Sequence, residues 1–164
     1  MIYFTADTHF WHNAILKHCP KRSWDDIETM NNTLIDAINE TVGRNDILYH
    51  LGDFCWSAAK TGSIRQRIKC RKLHVVRGNH DSSSLRSHVS SLNHMVFLKN
   101  PKIHLCHYPL AEWGSQYYGG YHLHGHCHNN LKLEGRAMDV GVDAIFNLTG
   151  EWRPISINEV ISLL

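Results

Sequence analysis

Three short β-prone runs in the first half of the chain each stop abruptly at a residue with a carboxylate or amide side chain, and this repeated ending constrains the fold more than any other feature. Ile2 to Ala6 empties into Asp7-Thr8-His9, Ile47 to Leu51 is closed by Gly52-Asp53, and Leu73 to Arg77 ends in Gly78-Asn79-His80-Asp81. Between the first two runs, Ile27, Met30, Leu34, Ile35, Ala37, Ile38 and Val42 recur at helical spacing until Gly43. Ser23 with Asp26 three positions later resembles a capping box for that helix. Ile64 to Cys70 predicts a second, shorter helix. The order strand, helix, strand, helix, strand predicts an α/β layered fold. Polar groups at the carboxyl ends of its strands stand where open α/β sheets keep their sites.

The second half changes style. Met95 to Leu98, Lys102 to Cys106, Gly120 to His124, Arg136 to Val142 and Ile155 to Ile157 read as strands separated by turns, with no long helical pattern, which predicts antiparallel pairing. Asn158 is placed to cap a terminal helix through Leu164. With 164 residues, no internal repeat and no linker, residues 1–164 are expected to form a single domain. The start of the chain lacks a basic segment followed by a long apolar stretch, and no uncharged apolar run approaches the roughly 20 residues that span a bilayer. A soluble, cytoplasmic protein without a membrane partner is the expectation.

Composition enters through one unusual count, 14 histidines. Lys and Arg number 17 against 15 Asp and Glu, a formal charge of +2, too little for a protein whose role is binding nucleic acid without chemistry. Neutral imidazoles instead offer metal ligands and proton carriers. The five cysteines include no C-x-x-C pair, so neither a disulfide framework nor a cysteine-rich zinc site is indicated. Cys106 and Cys127 are read as buried packing residues.

The histidines gain meaning from position. Besides Asp7 and His9, Asp53, and Asn79 with His80, two further segments end strands in metal-capable residues: His107 after Leu105-Cys106, and His124-Gly125-His126-Cys127-His128. Imidazole suits zinc, iron and nickel, whereas carboxylate and amide oxygens suit manganese and magnesium. The mixed donors disfavour an all-oxygen magnesium site or an all-thiolate zinc site, and they outnumber the ligands of one tetrahedral ion. Two metals are expected.

Asp7-Thr8-His9, Gly52-Asp53, Gly78-Asn79-His80-Asp81, His107 and Gly125-His126-Cys127-His128, in this order, resemble the signature of the calcineurin-like metallophosphoesterases. Val140-Gly141-Val142-Asp143 resembles that family's closing strand, and Asp7-Thr8-His9-Phe10-Trp11-His12 resembles its small bacterial and phage-type members. The resemblance implies a four-layer αββα sandwich with mixed sheets. It implies that Asp7, His9 and His128 hold one divalent metal, that Asn79, His107 and His126 hold the other, and that Asp53 bridges both. Manganese is favoured, with nickel, zinc, iron or magnesium as alternatives. His80 is implied as the acid that serves a phosphate ester attacked by a hydroxide held between the metals.

Departures narrow the substrate. Gly52-Asp53-Phe54-Cys55-Trp56-Ser57 lacks the second Asp and the Arg of the protein-phosphatase motif G-D-x-x-D-R-G, so a phosphodiester or nucleotide-type ester, cyclic nucleotides included, is expected before a phosphoprotein. It also leaves the group that orients His80 open, Asp81 being its neighbour in sequence only. No protein partner is implied. A non-catalytic metal-binding scaffold on the same fold is the competing reading, disfavoured because every ligand position and His80 are present.

Other residues keep two readings. His12, Trp11, Trp56, Trp113, Tyr117 and Tyr118 are read as packing lids before base or sugar platforms, and the basic run Arg65, Arg67, Lys69, Arg71 and Lys72 as a solvated face before an anion guide. His124 is divided evenly between site and structure. His18, His50, His74, His88, His94, His104 and His122 carry no assigned role.

Overall fold

All 164 residues are described in the computed structural model. In chain order the first half holds β1 (Ile2–Thr5), α1 (Ile15–His18), α2 (Ile27–Thr41), β2 (Ile47–His50), α3 (Thr61–Arg67), β3 (Lys72–Val76) and β4 (Ser91–Asn93). The second holds β5 (Met95–Lys99), β6 (Lys102–Cys106), β7 (Tyr121–His124), β8 (Ala137–Asp139), α4 (Val142–Thr149), β9 (Ile155–Ser156) and α5 (Ile157–Leu163). One sheet has the order β4-β3-β2-β1-β9, parallel except for β9; the other has the order β5-β6-β7-β8, parallel except for β5. Both are therefore mixed, as the α/β expectation requires. No helix is long and apolar enough to cross a membrane.

Alternation along the strands divides the apolar residues between two cores. Leu48, Leu73 and Val75 turn to one face of the first sheet, where Met30, Leu34, Ile35 and Ile38 of α2 and Ile64 of α3 cover them. Phe4, Leu51 and Val76 turn the other way and meet Ile103, Leu105 and Leu123 of the second sheet, together with Ile145 of α4 and Val160 of α5.

Several local expectations are corrected. The cap of α2 is Asp26, whose carboxylate accepts from Thr29 N at 2.7 Å, and not Ser23. Helix α3 begins at Thr61 and has ended by Ile68, which is already extended. Antiparallel pairing holds between β5 and β6 and between β9 and β1, but β7 and β8 join in parallel, because residues 107–120 are a connection long enough to return the chain and lay β7 parallel to β6. The strand expected through Val142 stops at Asp139, and Val142 opens α4, a helix too short to show its period in the sequence. Ser156, in a full capping box with Glu159, caps α5 in place of Asn158.

The outer face of the second sheet gives some unassigned histidines a role. His104, His122 and His124 alternate with the inward Ile103, Leu105 and Leu123, so they point away from the core between the sheets. Segment 108–120 folds over them: Trp113 lies 5.4 Å from the His122 ring and donates through Nε1 to Gly120 O at 3.0 Å. Leu110 N donates to His122 Nε2 at 3.0 Å, so that nitrogen carries no proton, and Nδ1 donates to His104 O at 3.1 Å. His124, stacked on His122 at 5.4 Å, is structural.

Protonating His122 would break the Leu110 bond and bury a charge, and burial lowers its pKa to about 4 against the small upward pull of its carbonyl partner. A depressed folded-state value means that the stabilisation is complete above the unfolded value of about 6.5 and is lost as pH falls through about 4, up to about 3 kcal/mol in all. Urea unfolding should therefore show His122→Asn less stable than wild type at pH 7, with the gap shrinking by more than about 1 kcal/mol at pH 4.5. A gap independent of pH would contradict this assignment.

Candidate metal centre

Because β1, β2 and β3 run parallel in the register Thr5↔His50↔Val75, their carboxyl ends deliver Asp7, Asp53 and Asn79 to one rim of the sheet. Strands β6 and β7, also parallel, deliver His107 and the His126 to His128 segment to the same rim. The loops are tied to one another by backbone bonds: Asp7 N to Gly52 O at 3.0 Å, His9 N to Asp53 O at 2.9 Å, Gly125 N to His107 O at 3.0 Å and Val142 N to Ala6 O at 3.0 Å. Asp7, His9, Asp53, His126 and His128 all hold left-handed backbone angles, φ 46° to 70°. Non-glycine residues in that region cost about 1–3 kcal/mol each and persist where the surroundings over-determine them.

All seven residues expected as ligands come together. Asp7, His9 and His128 form one group with donor atoms within 4.8 Å of one another, and Asp53, His107 and His126 form a second. Asn79 Oδ1 lies 3.1 Å from His107 Nε2 and so joins the second group. Asp53 Oδ2 stands between the two, 3.6 Å from both His9 Nε2 and His107 Nε2. His80 Nε2 is 4.0 Å from the same oxygen, with a partly exposed side chain.

These donors fit divalent cations on three observations. Ligands bound at about 2.1 Å stand about 3–3.5 Å apart, close to the separations seen and too long for hydrogen bonds at 3.6 Å. His107 Nδ1 donates to Leu51 O at 2.7 Å, so Nε2 turns a lone pair toward the Asn79 oxygen, an acceptor facing an acceptor. Asp7 Oδ2 accepts from His126 N at 2.9 Å, whereas buried Oδ1 has no partner at all.

The electrostatics of these side chains agree. Burial holds the Asp7 carboxyl well above its usual value, outweighing the nearby His128. Burial and the neighbouring cationic groups push His9 far down, and burial also lowers His126. Burial would lower His128 as well, but its hydrogen bond to Asp143, with Cys19 and the charge of Asp7, raises it to about 10. His128 Nε2 faces His9 Nε2 at 3.3 Å, so the two ring nitrogens turn toward one another.

Residues around the ligands were less legible in the sequence. Asp81 does not orient the His80 ring; its carboxylate accepts from Asp53 N, Phe54 N and Gly78 N at 2.8–2.9 Å and braces the loops. His80 is placed by its own N–H, which donates to Asp53 Oδ1 at 3.0 Å, and by Trp56, 4.8 Å from its ring. Trp56 also stacks on His12 at 4.0 Å, and His12 Nδ1 lies 3.3 Å from His9 Nδ1. Thr8 Oγ1 donates to Phe54 O and so accepts from His50 Nε2, both at 2.9 Å, which gives His50 a bracing role. Tyr108, outside the expected aromatic set, lies 4.8 Å from His126.

His128 Nδ1 donates to Asp143 Oδ2 at 2.6 Å, and buried Arg22 donates to Asp143 through Nε at 2.9 Å and Nη2 at 2.7 Å. Asp143 is thus a helix residue facing the centre, not part of a closing strand. Arg22, close in sequence to Lys17 and Lys21, is buried against Asp143, Met30 and the Asp7-Thr8 turn. Cys19 Sγ approaches His128 Nδ1 at 3.5 Å, but Cys19, His128 and Asp143 do not make a third metal site, because the guanidinium already occupies both Asp143 oxygens. Cys127, expected to be buried, is only partly buried. Arg65 of the basic run folds back onto the carbonyls of Ile68 and Cys70.

Two mixed sheets with carboxylate, amide and imidazole donors gathered at one rim make a candidate metal centre. The family description "Calcineurin-like phosphoesterase" matches residues 1–154, and the chain belongs to that family. It is 30% identical to an uncharacterized protein of Methanocaldococcus jannaschii, MJ1445, in an alignment covering 99% of this chain and 90% of that protein. Among solved structures, the protein of unknown function AQ665 from Aquifex aeolicus superimposes with a TM-score of 0.75 at 24% identity, covering 100% of this chain and 99% of the other. Pseudomonas putida nuclease MPE gives 0.51 at 20% identity over 77% of this chain and 61% of its own. At these identities the two structures bear on the fold.

Proposed function

We propose that the protein is a dinuclear metal-dependent phosphoesterase acting on phosphodiester or nucleotide-type esters, with residues 1–164 working as one unit. Asp7, His9 and His128 hold one divalent cation, Asn79, His107 and His126 the other, Asp53 is shared, and His80 is the proton donor. Manganese suits the mixed donors best, with nickel, zinc, iron and magnesium as alternatives. The observation that carries the reading is Asp53 Oδ2, flanked by His9 Nε2 and His107 Nε2 at the same 3.6 Å.

Bound cations neutralise phosphate oxygens and make a water acidic enough to supply a nucleophile near neutral pH. The chain supplies the rest. Asp53 holds the two ligand groups in one frame, and the committed Nδ1 protons of His107 and His128 aim both Nε2 lone pairs inward. His80, an exposed side chain 4.0 Å from the shared carboxylate, stands at the mouth of the site, where a departing alkoxide would need a proton. Trp56 and Tyr108, each about half-exposed, place aromatic surface beside His80 and His126, which suits a base or sugar next to the phosphorus. A nuclease shares the fold, which keeps a diester within reach of this architecture.

The test is a panel of paired aryl mono- and diesters, 2′,3′- and 3′,5′-cyclic nucleotides and short oligonucleotides, assayed with manganese, nickel, zinc or magnesium alongside metal analysis. Two metals per chain at saturation and faster turnover of diesters or nucleotides are expected. His80→Ala should lose on the order of 10²- to 10⁴-fold with alkoxide leaving groups and markedly less with nitrophenolate, which departs without a proton. Equal losses on both would remove His80 from the donor role, and saturation below two metals would remove the shared carboxylate.

A further inference from the structure

We infer that Arg22 and Asp143 are a buried positioning pair that assembles the Asp7, His9 and His128 half of the centre and not the other half, so the two metal positions are separable by mutation. The inference rests on the dinuclear reading above and goes beyond it, since neither residue belongs to the ligand set.

Arg22 is 1% exposed, and its donors point at this half of the site except for one contact from Nη1 to Met30 Sδ at 3.8 Å. Two go to the Asp143 carboxylate, Nη2 also donates to Asp7 O at 2.6 Å, and Nη1 donates to Thr8 O at 3.3 Å. One guanidinium therefore grips the carbonyls of the strained Asp7 turn and, through Asp143, the Nδ1 proton of His128. The planar fork suits this task, because its donors diverge at fixed angles and lose little freedom on binding.

Chain geometry explains why such a clamp is needed. Arg22 lies between β1 and α2, where the only regular element is the four-residue α1, while Asp143 sits in the first turn of α4, 121 positions away. No strand pairing sets the distance between His128 and Asp7 directly. A carboxylate on the far nitrogen of a ligand histidine fixes the ring and makes the near nitrogen a better donor.

The other half is oriented by different groups. His107 is held by Leu51 O, the Asp53 backbone by Asp81, and Asp53 Oδ1 by His80 N, none of which touches Arg22 or Asp143. The connection between halves runs through the His126 N–H on Asp7 Oδ2 and through Asp53 itself.

The experiment titrates metal-free protein with Mn²⁺ alone, following heat and the electron paramagnetic resonance spectrum, in wild type, Asp143→Asn and the double substitution Arg22→Met with Asp143→Leu. The double variant removes both charges together and so avoids stranding one of them in the interior. Wild type should bind two ions and show the spectrum of a coupled pair. In the variants one site should weaken roughly 10- to 100-fold while the other stays within about twofold, leaving the spectrum of an isolated ion at intermediate Mn²⁺. Equal weakening of both sites, or wild-type affinity at both, would overturn the positioning role. A single site in wild type would instead overturn the dinuclear reading.

Discussion

Asp53→Asn should bind fewer than two metals and lose about three to four orders of magnitude of turnover, the several kcal/mol that charge neutralisation by paired cations supplies. The substitution is nearly isosteric and leaves an acceptor for His80 N. On the other side, an amide NH₂ would replace Oδ2 and face the Nε2 lone pairs of His9 and His107. Donors facing acceptors stabilise the cation-free protein, so thermal unfolding without metal should occur at or above the wild-type temperature. The rise in unfolding temperature that Mn²⁺ gives wild type should shrink sharply, since that rise measures binding to the folded state. Wild-type turnover in the variant would show that Asp53 is not shared between metals.

The second large effect is expected at Gly78. A Cβ there would overlap Asp53 Oδ1 and the Asp53 backbone nitrogen at separations that real Cβ atoms do not adopt. The backbone cannot retreat, because Gly52 packs on it so closely that a Cβ on Gly52 would itself lie 2.7 Å from Gly78 N and 2.8 Å from Gly78 Cα. Gly78 N also donates to Asp81 Oδ2, the bond that braces the Asp53 turn. Gly78→Ala should therefore cost about 3–5 kcal/mol in urea unfolding, in the range of severe overpacking, and abolish the tighter metal binding as Asp53 is displaced. Gly150→Ala is the reference: φ is +77° but no atom lies within 4 Å, so only the backbone cost of about 1–2 kcal/mol applies. Equal destabilisation by the two would mean that the Gly78 contact is relieved cheaply.

The candidate donor residues were legible because each is local. Asp7, Asp53 and Asn79 announce themselves where an apolar run ends, and a parallel sheet carries all such ends to one rim. The groups that orient the ligands were not legible. Asp81 looked like a partner for His80 because the two are adjacent, yet its carboxylate faces the opposite way, toward three backbone N–H groups. Tyr108 has no pattern around it, and α4 is too short to display a period. His122 and His50 became readable only from the backbone and hydroxyl groups that face each ring nitrogen.

By itself, the order of strand-ending motifs determined the fold class, the donor chemistry and which residues would meet, since strand period and donor type are properties of a few consecutive residues. The tertiary structure alone decided how the donors are held. It gave the Nδ1 hydrogens of His107 and His128 their acceptors, left Asp7 Oδ1 without a partner, and buried Arg22 against Asp143. Those outcomes depend on hydrogen bonds and desolvation between groups as far apart in the chain as Arg22 and Asp143, and no local pattern of residues encodes a contact at that separation.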